Sequence, residues 1–231
     1  MKKTILAALL AAPLFAHAQS MPWDNWFQFE AGVGASHYTP YTDGLWYQQG
    51  LPHSLQVNAL AAEVGVVKNV WQSGNWGVDL HLDYAYLGQI NYNAMATPSD
   101  ANYNTQTKGC NGQCWPLSNF VGSGHDQGVY LTVEPHYDWQ GFRFGVEAGP
   151  YIHHLSWSET VYGWEPSANG PRMNLYGIHD SEWNIGAVGG VSVEKKNFSV
   201  NYQFFYNPSH HSASVPAPWG FTQTVMLKYK F

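Results

Sequence analysis

From residue 76 to residue 86 apolar and polar side chains alternate without interruption. Trp76, Val78, Leu80, Leu82, Tyr84 and Tyr86 share one parity, and Gly77, Asp79, His81, Asp83 and Ala85 share the other. Successive side chains of a β-strand point to opposite faces, so this pattern predicts a strand with one greasy and one polar face. Seven other segments read the same way. The first sets Phe27, Phe29, Ala31, Val33 and Ala35 against Gln28, Glu30, Gly32, Gly34 and Ser36, and the second sets Leu60, Ala62, Val64 and Val66 against Glu63 and Gly65. Residues 55–59 fall out of phase, which predicts a bulge near 58–60 or a chain that has already left the membrane. The fourth segment alternates from Val129 to Tyr137 with Glu134 on the polar face. The fifth runs from Phe142 to Ile152 with Arg143 and Glu147 there, and the sixth runs from Trp183 to Val193. The seventh carries Phe198, Val200, Tyr202, Phe204 and Tyr206, and the last carries Val225, Leu227, Tyr229 and Phe231.

Each segment has the length of a tilted bilayer-crossing strand and none is a spanning helix. The connections fall into two kinds. QSGN at 72–75, DWQG at 138–141 and EKKN at 194–197 are tight turns, whereas 38–54, 93–127, 159–181 and 207–220 are long and polar. Short and long alternate strictly, as an up-and-down barrel with one periplasmic and one external end requires. The predicted fold is therefore all-β, an eight-stranded antiparallel transmembrane β-barrel. A lipocalin-like or sandwich fold with the apolar faces buried is the soluble alternative.

The amino end gives this fold a destination. Met1, Lys2 and Lys3 precede an apolar run to Phe15 and an Ala16-His17-Ala18 cleavage signal, so residues 1–18 read as an export signal and 19–231 as the barrel domain. Losing two lysines takes the formal charge from −6 to −8, which excludes nucleic acid as an electrostatic partner. Charged residues are 11% of the chain and aromatics 16%, too little charge for a wetted surface. Cys110 and Cys114, the only cysteines, are expected to close a small disulfide loop after export.

With apolar faces outward, the interior collects Glu30, Glu63, Asp79, Asp83, Glu134, Glu147, Glu182 and Glu194 against Arg143, Lys228 and Lys230. An eight-stranded barrel is filled by its own side chains, so these groups predict a structural polar network with Arg143 as anchor and a Glu30–Lys228 pair across the closing seam. Surplus carboxylates at Glu63 and Asp83 raise a second possibility, a narrow cation-favouring channel. Eleven histidines without HExxH or paired CxxC predict no specific metal site, and no cofactor is expected. Trp46, Tyr47, Trp115, Trp164 and Trp219 fall in the long connections and are candidate surface-binding aromatics.

The strand and turn order, the aromatic strand ends and the terminal Tyr229-Lys230-Phe231 resemble the small eight-stranded outer-membrane barrels, the family of OmpX, the OmpA membrane domain and the opacity proteins. The resemblance covers nearly all of 19–231. It implies a bacterial outer-membrane location with the long loops extracellular. It also implies contact with lipid and lipopolysaccharide, assembly through a carboxyl-terminal signal at Tyr229 and Phe231, a monomer, and a structural or cell-surface role toward a host, phage or other ligand without catalysis. A similar barrel, the lipid A deacylase PagL, bears an H-x-S pair on its lipid-facing surface. His154-Leu155-Ser156 and His210-His211-Ser212 match the pair but not its position, since the stretch before the last strand reads FFYNP and the last strand begins GFTQT with no acid.

Overall fold

The computed structural model describes residues 27–40, 51–96, 103–104, 109–110, 117–165, 171–208 and 219–231. Its strands are β1 (Gln28–Pro40), β2 (His53–Gln56), β3 (Asn58–Ser73), β4 (Trp76–Ala96), β5 (Tyr103–Asn104), β6 (Gly109–Cys110), β7 (Ser118–Trp139), β8 (Phe142–Trp164), β9 (Met173–Lys195), β10 (Phe198–Tyr206) and β11 (Trp219–Lys230). The short β5 and β6 pair with each other. The other nine form one antiparallel sheet that closes on itself, because β4 pairs with both β3 and β7. Beyond Val57, β2 continues the line of β3 along the same neighbour β4, so the ring has eight staves. The seam joins first to last strand, with Glu30 opposite Lys230 and Thr39 opposite Phe221. Closure leaves no free edge, which is the condition for a sheet in lipid.

The three tight turns lie where the sequence places them. At the β7–β8 turn Gln140 and Gly141 both have positive φ, 50° and 79°, the two-residue geometry whose twist matches the flanking strands. Glycine takes that conformation without strain.

The outer face explains the greasy parity. Leu60 is 80% exposed, Ile185 73% and Val33 67%, in a band that runs around the whole circumference. No soluble monomer leaves such a belt in water. On β10 all five outward residues, Phe198 to Tyr206, are apolar, and nine tilted residues span about 20–25 Å, the height of an outer-membrane hydrocarbon layer. Trp71, Trp76, Trp139 and Phe231 edge the band at the turn end, and Tyr84, Trp183 and Tyr206 edge it at the other.

Above the band the polarity inverts. In β4 the pairing with β7 shifts between Tyr86 and Gln89, where Gly88 has φ +85°. Past this bulge Gln89, Asn91 and Asn93 face out while Ile90, Tyr92 and Ala94 are buried. In β8 the parity holds but the residues change. Phe144 to Ile152 are apolar outside, then His154, Ser156, Ser158 and Thr160 are polar outside while Leu155, Trp157 and Val161 turn in. The strands thus continue well past the lipid with an apolar interior and a polar exterior. Much of 93–127 and 159–181, expected as loop, is strand for this reason: the period of two persists there, but with the opposite face greasy. Likewise the irregularity expected near 58–60 sits at Val57 between β2 and β3, with further slips at Asn69/Trp71.

Candidate functional site

The interior is a polar column capped by an aromatic cluster. At the turn end Arg143 Nη1 donates to Asp79 Oδ2 at 3.0 Å and its Nε to Asp138 Oδ1 at 3.0 Å. The hydrogen bond from Arg143 holds the Asp138 carboxyl, in the turn beyond the lipid, below its ordinary pKa. The Arg143 side chain is 24% exposed, so it anchors the network at the mouth. Lys230 Nζ pairs with Glu194 at 2.6 Å in the same layer.

The central cation is Lys228, 2% exposed. Its Nζ lies 2.7 Å from Glu63 Oε2 and donates to Tyr130 Oη at 3.0 Å, whereas Glu30 Oε1, the expected seam partner, stands at 4.0 Å. The reason is lateral. Gly32 of β1 sits between Lys228 of β11 and Glu63 of β3 in one row, and a Cβ on Gly32 would fall 2.7 Å from Lys228 Cγ. The lysine crosses the glycine to the next strand but one. Tyr130 also accepts from Gln203 at 3.0 Å, and Gln203 accepts from Thr224 at 3.2 Å. Glu134 and Glu147 accept from Ser192 at 3.0 Å and Thr132 at 3.1 Å. His81 Nδ1 lies 2.8 Å from Glu30 Oε1, with Glu134 at 3.5 Å from Nε2. Asp83, buried beside them, finds no hydrogen-bond donor.

Higher up stands a junction that the sequence reading missed. Asp126 is fully buried and accepts from Tyr151 Oη at 3.1 Å and Asn207 Nδ2 at 2.7 Å, with His153 Nδ1 at 2.9 Å. Its own N–H donates to Tyr38 Oη at 3.2 Å. Asp126 belonged to a stretch read as loop; the signal was Gly122, Gly124, Asp126 and Gly128 continuing the inward parity of Tyr130. The two upper glycines leave room for Trp157 and Trp219, whose rings would overlap a Cβ there.

Those rings seal the column. Tyr38 packs edge-on to Trp219 at 4.9 Å, Trp219 meets Trp157 at 6.2 Å, and Leu87, Tyr92, Phe120, Leu155 and Val161 complete the cluster. Trp219 was expected on the surface and is instead completely buried, because β11 begins at that residue with its side chain inward. Trp164 is half-buried against Phe120 at 6.4 Å. Trp46, Tyr47, Trp115, Cys114, the export signal and the His210–Ser212 pair lie outside the described residues.

No protein-family model matches this chain, and no curated protein matches it in sequence. In structure it is similar to Ail, the attachment invasion locus protein of Yersinia pestis, solved with the heparin analogue sucrose octasulfate (13% identity, 89% of this chain and 97% of that one, TM-score 0.37). It is similar also to the outer-membrane enzyme PagL (11%, 88% and 98%, TM-score 0.39) and to Neisserial surface protein A (11%, 89% and 97%, TM-score 0.39). The closed ring of eight staves and its apolar outer band fix the architecture. The chain has the fold of a closed eight-stranded antiparallel β-barrel with an apolar outer face.

Two expectations concern the outside of this barrel. Tyr229 and Phe231 both face out and stack edge-on at 5.0 Å, and the Phe231 N–H donates to Phe29 O at 2.9 Å, which ties the terminus into the seam. His154 and Ser156 both face outward at the top of the lipid band, as their parity requires. The hydroxyl bonded to His154 Nε2, however, is Ser181 of β9 at 2.7 Å.

Proposed function

We propose that this protein is a non-conducting, non-catalytic barrel of the bacterial outer membrane that presents its long connections for contact at the cell surface. The observation that carries this reading is the aromatic seal. Above the acid-rich column Tyr38, Trp157 and Trp219 meet across the bore, together with Tyr92, Phe120 and Leu155. A hydrated ion has no path through a packed apolar layer. The column below has hydrogen-bonded roles for most of its groups, as a structural network requires.

The polar upper rim supports the surface role. Uncharged Asn91, Asn93, Ser123, Ser158 and Thr160 face out above the lipid, at the height where lipopolysaccharide headgroups lie, and lead to the connecting segments that would meet a host, phage or other surface ligand. The long connections then face the exterior, and the terminal Tyr229 and Phe231 serve the barrel-assembly machinery. The barrel acts as a monomer, and the Cys110–Cys114 disulfide stiffens the longest connection.

Planar-bilayer recording of the purified protein in salt tests the reading: no unitary current is expected, and reproducible cation-selective steps overturn it. Lipid A acylation unchanged in strains expressing Ser156→Ala and Ser181→Ala variants is the expected outcome for a non-enzyme. Loss of a deacylated product in either variant, if the parent makes one, refutes that part.

A further inference from the structure

Inside the column Asp83 stands without a hydrogen-bond donor. It is 1% exposed, and both of its carboxylate oxygens are in this state. A buried carboxylate in that state is costly unless something positive sits against it. Its side chain is nonetheless directed at another acid. Gly65 of β3 lies between Glu30 of β1 and Asp83 of β4 in a single cross-strand row, and a Cβ on Gly65 would run into the Asp83 carboxylate. The aspartate therefore leans across the glycine toward Glu30. One oxygen of each acid and a ring nitrogen of His81 lie within 4.8 Å of one another.

Lys228 is shared between this pair and a third acid. Its ammonium is held by Glu63 at 2.7 Å and Tyr130 at 3.0 Å, and stands 4.0 Å from Glu30. We propose that Glu30, His81 and Asp83 form a buried site for a divalent transition-metal cation of the zinc class. Two carboxylates balance a double charge, and one imidazole with two carboxylates is a donor set that suits zinc or manganese more than calcium or magnesium. Bonds of about 2.0–2.2 Å from one ion bring its donors to the separations found here after small side-chain rotations. Glu134, 3.5 Å from His81 Nε2, supplies the outer partner that orients a ligating imidazole. Parity alone points to Glu63 and Asp83 as surplus carboxylates that could hold a cation, but it does not single out His81, which reads as one more polar inward residue.

The test uses the full-length protein, unfolded in urea and refolded into detergent micelles with or without zinc chloride, then stripped on chelating resin to clear surface histidines. Metal is counted by mass spectrometry, and folding is checked by the mobility shift of unheated samples. About one retained zinc per barrel is expected for the parent and background for Asp83→Asn and His81→Gln, counted on samples whose mobility shift shows that they have folded. The glutamine keeps a donor near Glu30 while removing the ligating nitrogen. Zinc is also expected to raise the temperature of the mobility shift in the parent alone. A parent that retains no zinc, or variants that retain as much as the parent, overturns the assignment. A parent without zinc and an Asp83→Asn barrel that melts higher would show that a shared proton, not a metal, sits between the acids.

Discussion

Lys228 and Glu63 are joined at 2.7 Å although an entire strand runs between theirs, and the ion pair passes over Gly32. Removing one partner strands the other charge in a medium that cannot solvate it. Lys228→Met should therefore lower stability by about 3–5 kcal/mol, and adding Glu63→Gln should restore most of that. Urea unfolding of the refolded barrel in lipid vesicles measures both, and an equally unstable double variant would contradict the pairing.

The same relationship predicts which glycines tolerate a methyl group. Gly32→Ala places carbon against the Lys228 stem, so the lysine must leave its route to Glu63, at a cost of about 1–3 kcal/mol. At Gly189 the nearest atom to an added Cβ is 3.6 Å away, and Gly189→Ala should stay within about 0.5 kcal/mol of the parent. Comparable losses at the two sites would remove the spatial explanation.

Asp126 links strands of the outer part of the barrel by hydrogen bonds, through Tyr38 on β1, Tyr151 and His153 on β8, and Asn207 after β10. Asp126→Asn turns one acceptor oxygen into a donor facing other donors and should cost about 2–4 kcal/mol. Hydrogen exchange should accelerate in 119–127 and 151–161 while 129–137 and 142–150 stay protected. Uniform acceleration along both strands would show that the two halves do not open separately.

Glu159 provides a pH test above the lipid. It is buried next to Trp157, whose indole N–H donates to it at 3.2 Å, and burial pushes its carboxyl above the ordinary glutamate range. A carboxyl that holds its proton more tightly folded than unfolded contributes full stability at low pH, and that contribution is lost as pH rises from the unfolded value through the raised folded one. Glu159→Gln should match the parent near pH 4 and exceed it near pH 8. A variant less stable than the parent at pH 8 would mean that the charged form is the one the site favours.

Most of the lipid-embedded half was legible in the sequence because one physical rule governs it. Val33, Leu82, Phe144 and Leu227 must meet acyl chains, so period two and outward grease coincide, and the turns at Gly74, Gly141 and Lys196 punctuate it. The outer half obeys the same period with the rule reversed, so Trp157 and Trp219 could not be told from surface aromatics, and Asp126 could not be told from a loop acid. The identity of lumen partners was less legible again. Parity placed Lys228, Glu30 and Glu63 inside, but the pairing depended on Gly32, whose missing side chain decides which strand the lysine reaches.

The reversal of polarity past Gly88 gives the molecule two cores stacked end to end, one wet and charged within a greasy collar, the other dry within a hydrophilic one. The upper core carries the outer strand ends clear of the greasy collar. Its packing does not draw on lipid, so the tips can diversify, lengthen or be exchanged wholesale while the embedded half keeps its own register.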